Sequence, residues 1–331
     1  MFISMLLIFI CIFQVKIGSC NELNNTIVNN TKKDEYNFWQ PTVGTTWNWI
    51  LNNYGEIIES DSNVDVLDID LFDNDESTIA SLKENGHHII CYFSVGTYED
   101  WRPDAEEYLK VPDLVKEPME DWEDEYYVDI TNPLLKPIIS ARFDLAKKKG
   151  CDAVECDNMD IYTVDSIKKW KVPITVSDQL SYDLWLTTEA HSRGLSIALK
   201  NDVENLVTMV NFFDFAINEE CYNYNECKQY KDTFIKNNKA VFAAAYGDYC
   251  DYEFIKKLKK QTTGLELSMI IKNEDMELAK EYVKFDPENY NYDMLCNNEN
   301  NIEYNDNISA SVKNKPKILL LYIIIFAFIL I

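Results

Sequence analysis

The sequence predicts a (β/α)8 TIM barrel of the α/β class, a single domain that spans residues 37–285. Apolar runs of strand length recur along the chain, with helical segments between them. About 250 residues lie between two polar flanks, which is the usual size of such a barrel. The candidate strands are 46–51, 64–71, 88–94, 126–130, 153–157, 195–200, 213–218, 240–246 and 267–272.

Nine candidate strands compete for the eight places in the barrel. Only residues 52–63 separate the first two candidates, and this connection is short for a crossover helix. We therefore expect 46–51 to precede the barrel. In that case 64–71 is the first strand, 153–157 the fourth and 213–218 the sixth.

The segments between the strands carry helix signals. Residues 133–149 place five apolar side chains on one helical face and end at Gly150, a favourable residue after a helix. Two further helical segments end at Gly86 and Gly194. This repetition of strand, helix and glycine indicates βαβ units. No glycine-rich phosphate loop opens these helices, which disfavours a nucleotide-binding doubly wound sheet.

The two ends of the chain predict export and attachment to the outer cell surface. Residues 1–17 are almost wholly apolar, and we place a signal peptide at 1–20. Residues 310–331 combine small residues, a short polar spacer and an apolar tail at 318–331, as a GPI-attachment signal does. This tail is shorter than the roughly 20 residues of a membrane span, but a tail-anchored membrane protein remains the alternative.

Polar, asparagine-rich segments flank the predicted domain at 21–36 and 286–309. Their low apolar content is typical of disordered linkers. They contain N-glycosylation sequons at Asn24, Asn29 and Asn307, which agrees with a secreted protein.

Seven of the nine cysteines lie outside the predicted signal peptide, so at least one has no partner within the chain. Cys221 and Cys227 lie six residues apart in a polar segment, and we expect them to form a local disulfide in an oxidising compartment. His87, His88 and His191 have no cysteines or acids at ligand spacing. We therefore predict neither a metal site nor a cofactor.

The formal net charge is −25, and removal of four lysines with the predicted end signals makes it −29. A charge of this sign excludes nucleic acid as a partner. Two interpretations stay open: solubility of a surface protein, or attraction of a cationic substrate. We expect the domain to be a monomer.

Polar side chains cluster at the ends of the predicted strands, where barrel enzymes carry their catalytic groups. The candidates are Asp68, Asp70, Tyr92, Asp129, Glu155, Asp157, Asp160, Lys200, Asn201, Glu219 and Tyr246. Carboxylates among aromatic rings suit carbohydrate chemistry, because acids transfer protons and flat rings contact sugar faces. Some of these acids are expected to pair instead with Arg102, Arg142 or Lys200 in structural ion networks.

Six motifs occur in a distinctive order. They are Thr-Thr-Trp-Asn-Trp (45–49), Val-Leu-Asp-Ile-Asp (66–70), Cys-Tyr-Phe-Ser-Val-Gly-Thr-Tyr-Glu-Asp-Trp-Arg (91–102), Val-Glu-Cys-Asp-Asn-Met-Asp (154–160), Leu-Lys-Asn (199–201) and Asn-Glu-Glu-Cys…Glu-Cys (218–227). Over residues 38–275 the chain resembles glycoside hydrolase family 114, the endo-α-1,4-polygalactosaminidases. The resemblance implies a barrel that hydrolyses α-1,4-linked galactosamine polymers, the cationic, deacetylated stretches of galactosaminogalactan.

The resemblance also implies a catalytic pair, Asp157 and Glu219. Glycosidic cleavage needs two carboxyl groups that flank the scissile bond. By similarity to retaining α-galactosidase-like barrels, we expect Asp157 to be the nucleophile and Glu219 the acid/base. A carboxyl separation nearer to about 9 Å than to about 5 Å would favour inversion instead.

Further residues are expected to bind the substrate. The acids expected to bind the sugar ammonium groups are Asp68, Asp70 and Asp129. Lys200 is expected to keep the nucleophile ionised, and Asn201 and Tyr92 to hold ring hydroxyls. Glu155 and Asp160 would form the electrostatic surroundings of Asp157, and Tyr246 would complete the rim.

Two positions depart from the family pattern. Ala245 stands where the family tends to have a glutamate, and Cys156 stands where a proline is more frequent. A lost acid at position 245 puts one subsite in doubt. Two alternatives therefore stay open: a glycosidase with a shifted sugar preference, or a catalytically weak or inactive barrel that binds carbohydrate.

Overall fold

Eight parallel strands form one curved sheet whose carboxyl ends share a rim, which confirms the predicted (β/α)8 class. The structure, a computed structural model, describes residues 38–296 except 54, 121 and 123. Within these residues the strands in chain order are β1 (Trp47–Ile50), β2 (Val66–Asp70), β3 (His88–Ser94), β4 (Thr97–Glu99), β5 (Val115–Pro118), β6 (Glu125–Val128), β7 (Ala153–Asp157), β8 (Ser196–Lys200), β9 (Phe215–Glu219), β10 (Val241–Tyr246), β11 (Ser268–Lys272) and β12 (Val283–Phe285). The helices are α1 (Glu76–Glu84), α2 (Ala105–Leu109), α3 (Leu135–Lys149), α4 (Val176–Ser192), α5 (Leu206–Met209), α6 (Cys221–Tyr224), α7 (Tyr252–Thr262) and α8 (Tyr292–Cys296).

Short-range signals set the helix boundaries. Asp75 caps α1 by accepting a 2.7 Å hydrogen bond from the backbone N–H of Thr78. Thr175 and Asp178 form a capping box at the start of α4. Helix α3 ends at Gly150, whose φ of 91° is accessible to glycine without a steric penalty.

The strand count differs from the prediction in two places. The segment that we placed before the barrel contains β1, which pairs in parallel with β2 and is therefore the first barrel strand. The predicted strand 126–130 overlaps β6, which pairs antiparallel with β4 and β5 in a separate three-stranded sheet. The connection from β1 to β2 contains no helix in its described residues, so the crossover is made by a loop. The two errors cancel, and β7 and β9 are the fourth and sixth barrel strands as predicted.

The first and last parallel strands meet through side chains and an added strand. Trp47 Nε1 donates a 2.8 Å hydrogen bond to the backbone oxygen of Ser268. Lys272 Nζ donates to Asn48 Oδ1 and to the backbone oxygen of Ala279, both at 2.7 Å. Strand β12 pairs antiparallel with β11. These contacts tie the segment after β11 to β1 and close the barrel.

Alternation along each strand separates an interior core from an outer one. Val66 belongs to the cluster inside the barrel, whereas Leu67 and Ile69 belong to the layer between sheet and helices. Asp68 and Asp70 therefore point in the same direction as Val66. The regular pleat thus carries acids into the barrel and towards its rim.

Three disulfides are present among the described residues: Cys91–Cys151, Cys221–Cys227 and Cys250–Cys296. The predicted local disulfide is therefore confirmed, and Cys156 is a buried free thiol. No helix in the described part of the chain is long and apolar enough to cross a membrane.

The segment 286–296, which we assigned to a linker, packs on the barrel. Tyr290 is buried and donates a 2.6 Å hydrogen bond to the backbone oxygen of Tyr249. Helix α8 ends at the cysteine that is joined to Cys250. The predicted signal peptide, the linker 21–36, the rest of the second linker and the attachment signal 310–331 lie outside the described residues.

Candidate active site

Lys200, the last residue of β8, lies at the centre of the site. Its ammonium nitrogen is 2.6 Å from Glu155 Oε1, 3.0 Å from Asp157 Oδ1 and 3.2 Å from Glu219 Oε2. Burial alone would lower the pKa of Lys200, but the charges of Asp157, Glu155 and Glu219 raise it well above its ordinary value. The structure thus brings the two predicted catalytic carboxylates together across one fixed cation.

Two tyrosines hold the outer oxygens of the same carboxylates. The hydroxyl of Tyr92 donates a 2.9 Å hydrogen bond to Asp157 Oδ2, and that of Tyr246 donates a 2.5 Å hydrogen bond to Glu219 Oε1. The side chain of Asp157 is 22% exposed and that of Glu219 is 31% exposed, compared with 2% for Lys200. The carboxylates therefore face solvent, while Lys200 and Tyr246 are buried and Tyr92 is half-buried.

Each of the three central strands ends in a site residue that is followed by a left-handed residue. Asn158 follows Asp157 with φ 61°, Asn201 follows Lys200 with φ 51°, and Glu220 follows Glu219 with φ 57°. Asparagine tolerates this conformation better than most residues, whereas glutamate adopts it rarely. The chain turns sharply at these points and leaves the preceding side chains at the rim.

The two asparagines also bind neighbouring groups. Asn201 Oδ1 accepts a 3.0 Å hydrogen bond from the backbone N–H of Glu219. Asn201, which we expected to hold ring hydroxyls of the sugar, therefore positions the strand that carries Glu219. Asn158 Nδ2 donates to Ser94 Oγ at 3.0 Å and lies 3.4 Å from Asp157 Oδ2. Both side chains thus support the predicted catalytic pair.

Asp68 and Glu155 lie deeper inside the barrel and are fully buried. Burial and the charge of Glu155 raise the pKa of Asp68 well above its ordinary value, so Asp68 binds a proton more readily than an exposed aspartate does. When it is protonated, Asp68 donates a hydrogen bond to Glu155. A fully buried acid does not reach a sugar ammonium group, so the expected binding role of Asp68 is replaced by an internal one.

Asp160 lies on the loop after β7 and is half-buried. Burial and the nearby charges of Asp202 and Asp157 raise the pKa of Asp160 to about 7. The carboxyl of Asp160 therefore changes its charge near neutral pH, within electrostatic range of Asp157.

Two predicted acids are placed elsewhere. Asp70 Oδ2 lies 2.7 Å from Arg102 Nη2, and its Oδ1 accepts a 2.7 Å hydrogen bond from the backbone N–H of Phe72, so it belongs to a buried ion network. Asp129 follows β6 in the small sheet, and its Oδ1 accepts hydrogen bonds from Thr131. Because 126–130 is not a barrel strand, Asp129 does not lie at the carboxyl end of a barrel strand.

Sequence reasoning missed two residues of the site. The ring of Trp49 lies beneath the Lys200 ammonium, 4.7 Å from nitrogen to centroid, a cation–π contact. The motif at 45–49 contained this residue, but β1 was assigned outside the barrel. Glu125 of β6 accepts a hydrogen bond from Thr97 and lies 3.5 Å from Asn158 Nδ2, and burial raises the pKa of Glu125 to about 7. No sequence signal pointed to Glu125, because an inserted sheet brings it to the site.

The two departures from the family pattern lie outside the site. Ala245 packs with Ile255 and Leu258 of α7, on the outer face of the sheet. Cys156 packs in the layer between sheet and helices. An acid at position 245 would face α7 in this barrel, so its absence removes no group from the rim.

A separate cleft of about 500 Å³ opens beyond β1 and β2. Its lining includes Asn52, Glu56, Asp73 and Asp75, and neither of the two predicted catalytic carboxylates contributes to it. In the described part of the chain, no group of three His, Cys, Asp or Glu residues is arranged to hold a metal ion.

Two carboxylates close together on the rim of a (β/α)8 barrel are the arrangement that glycosidases use. The family model for glycoside-hydrolase family GH114 matches residues 28–291, and the chain belongs to this family. It is therefore a glycoside hydrolase.

One solved structure agrees with this assignment, and a second shares the fold. Ega3 of Aspergillus fumigatus, solved in complex with galactosamine, is 32% identical with a TM-score of 0.68, and the match covers 75% of this chain and all of the Ega3 chain. The glycoside hydrolase domain of PelA from Pseudomonas aeruginosa shares the fold at 12% identity and a TM-score of 0.54, over 73% of this chain and 98% of that domain. Comparison with curated proteins gives no match.

Proposed function

We propose that this protein is an endo-glycosidase that hydrolyses α-1,4-linked galactosamine polymers, namely the deacetylated stretches of galactosaminogalactan. Three observations support this substrate: the family, the 32% identity to a protein solved with galactosamine, and a formal net charge of −25. A polymer of amino sugars is cationic at neutral pH, so the negative surface attracts it.

The observation that carries the mechanism is the position of Lys200 between Asp157 and Glu219, at 3.0 Å and 3.2 Å. In the first step Asp157 attacks the anomeric carbon while Glu219 gives its proton to the departing glycosidic oxygen. In the second step Glu219 takes a proton from water, and the resulting hydroxide displaces Asp157 from the sugar. Lys200 and Tyr92 hold the nucleophile in one orientation during both steps.

The spacing supports retention of anomeric configuration. The nearest oxygens of Asp157 and Glu219 both lie within 3.2 Å of Lys200 Nζ, so they are at most about 6 Å apart. Retaining pairs are separated by about 5–5.5 Å and inverting pairs by about 6.5–9.5 Å. Proton NMR during the first minutes of hydrolysis tests this point, since the α-anomer should appear first.

The half-buried Asp160 is the acid that we assign to the substrate ammonium group. It lies close enough to Asp157 for their charges to interact. A carboxylate that faces an ammonium group forms a charge-assisted hydrogen bond. Asp160 thereby distinguishes an amino sugar from a neutral one.

We further propose that the protein acts outside the cell, tethered by a lipid anchor or a C-terminal tail. The chain begins and ends with apolar segments that suit export and anchoring. Three disulfides fit an oxidising compartment. Release of the protein from intact cells by a phosphatidylinositol-specific phospholipase tests the lipid anchor.

The function is tested by incubating the full chain with purified, deacetylated galactosaminogalactan and measuring short oligomers. Asp157→Asn and Glu219→Gln should each lower the rate by about 10²–10⁴-fold. Asp129→Asn is the matched control, because it alters an acid that lies outside the site. Undiminished cleavage by Asp157→Asn would overturn the site assignment. Binding of the polymer without any product from the wild type would favour a carbohydrate-binding barrel.

A further inference from the structure

The three-stranded sheet β4–β6–β5 stands beside the catalytic centre. Strand β4 begins three residues after Ser94, the last residue of β3. Glu125 of β6 lies 3.5 Å from Asn158 Nδ2, and Asn158 directly follows the nucleophile. The three-stranded sheet therefore adjoins the part of the barrel rim at which we propose that the substrate bond is cleaved.

One end of this sheet carries two exposed tryptophans. Trp101 is 54% exposed and Trp122 is 51% exposed. Their chain segments are joined, because the backbone N–H of Asp100 donates a 3.2 Å hydrogen bond to the backbone oxygen of Asp124. Tryptophan is enriched at binding interfaces, because it combines a large apolar ring with a polar N–H group.

The ring of Trp101 is held beside the barrel mouth. The guanidinium carbon of Arg102 lies 5.6 Å from the ring centroid of Trp101. The same guanidinium forms a 2.7 Å ion pair with Asp70, the last residue of β2. Because Arg102 is buried in this network, Trp101 is anchored to a barrel strand end.

The sequence around both tryptophans is acidic. It reads Glu-Asp-Trp-Arg at 99–102 and Glu-Asp-Trp-Glu-Asp at 120–124. The single basic residue, Arg102, is neutralised by Asp70 and Glu99. An aromatic ring that stacks on a sugar face, beside carboxylates that attract ammonium groups, suits a chain of amino sugars.

We propose that Trp101 and Trp122 form a platform that binds units of the cationic polymer away from the scissile bond. This proposal rests on the proposed function, and it adds a second contact region on the same polymer. The platform increases the affinity for long chains and makes no contact with oligomers that fill only the catalytic centre. The enzyme therefore prefers long substrates.

The test compares Trp101→Ala, Trp122→Ala and the double variant with the wild-type full chain. Phe212→Ala is the control, because Phe212 is an exposed aromatic residue that precedes β9 and so lies at the opposite rim. The double variant should raise KM for the long polymer about tenfold, as expected for two exposed aromatic contacts, with kcat on the shortest cleaved oligomer unchanged. Thermal unfolding of each variant checks the fold.

Binding is measured separately in the Asp157→Asn background by retardation in gels that contain the polymer. Loss of retardation on removal of both tryptophans supports the platform. Unchanged retardation, an equal loss of activity on short and long substrates, or an equal effect of Phe212→Ala would overturn it. Failure of the wild type to cleave any galactosamine polymer would instead overturn the proposed function, and the retardation assay would still decide on the platform.

Discussion

The hydroxyl of Tyr246 donates a 2.5 Å hydrogen bond to Glu219 Oε1 and so ties the proposed acid/base to the neighbouring strand. Tyr246→Phe removes this bond and leaves the ring in place. A hydrogen bond to a charged group contributes about 1.5–3 kcal/mol, so kcat should fall about 10–100-fold. Tyr282→Phe is the control, since its hydroxyl binds Asp61 away from the site. Equal kinetics for the two variants would show that Tyr246 does not assist Glu219.

Asp68→Asn should preserve activity, because an amide resembles the protonated acid in size and can donate to Glu155. The sign of the pH effect follows from the raised pKa of Asp68. Above about pH 4 the unfolded chain releases this proton and the folded chain retains it, so the wild type loses stability as pH rises. Asn at position 68 removes this pH-dependent loss of stability, which urea unfolding of both proteins at several pH values measures. A large drop in the activity of Asp68→Asn would contradict a role for Asp68 inside the barrel.

Asp160→Asn should remove a pH dependence of substrate binding. The pKa of Asp160 is about 7, and only the ionised carboxylate attracts an ammonium group. In the wild type, KM should therefore fall as pH rises from 6 to 8, whereas the variant should show a higher and flatter KM. Titration of the polymer amines affects both proteins alike. Identical KM profiles would show that Asp160 does not contact the substrate.

Loss of the Cys91–Cys151 disulfide should mainly lower stability, whereas loss of the Cys221–Cys227 disulfide should mainly lower activity. Cys91 and Cys151 are 60 residues apart, and Cys221 and Cys227 are 6 apart. Loop-closure entropy predicts a cost of about 4 kcal/mol for the first pair and about 2 kcal/mol for the second. The second pair lies just after Glu219, so its double serine variant should lose more activity despite the smaller loss of stability. Urea unfolding and kcat measured on both variants check the contrast.

The barrel class followed from the recurring apolar runs, yet the sequence did not identify the right eight strands. Residues 46–51 were excluded because their connection to β2 is short, but a loop suffices for this crossover. Residues 126–130 have the composition of a barrel strand. Only their pairing with β4 and β5 assigns them to another sheet, and pairing between distant segments is not encoded locally.

The acids at the strand ends show a similar limit. Sequence spacing placed Asp68, Asp70 and Asp157 near the rim, but it did not reveal depth or partners. Burial of Asp68 and the ion pair of Asp70 with Arg102 depend on the packed barrel. The position of Ala245 was, by contrast, predictable, because adjacent residues on a strand face opposite sides and Tyr246 faces the site.

Asn158, Asn201 and Glu220 adopt left-handed conformations directly after Asp157, Lys200 and Glu219. Left-handed conformations of residues other than glycine are strained, and they occur frequently at functional sites. The backbone turns thus orient Asp157, Lys200 and Glu219, and these side chains do not need a bound sugar to take their positions. We expect the empty and occupied sites to superimpose at these three strand ends. Adaptation to a new substrate would then occur in the surrounding loops.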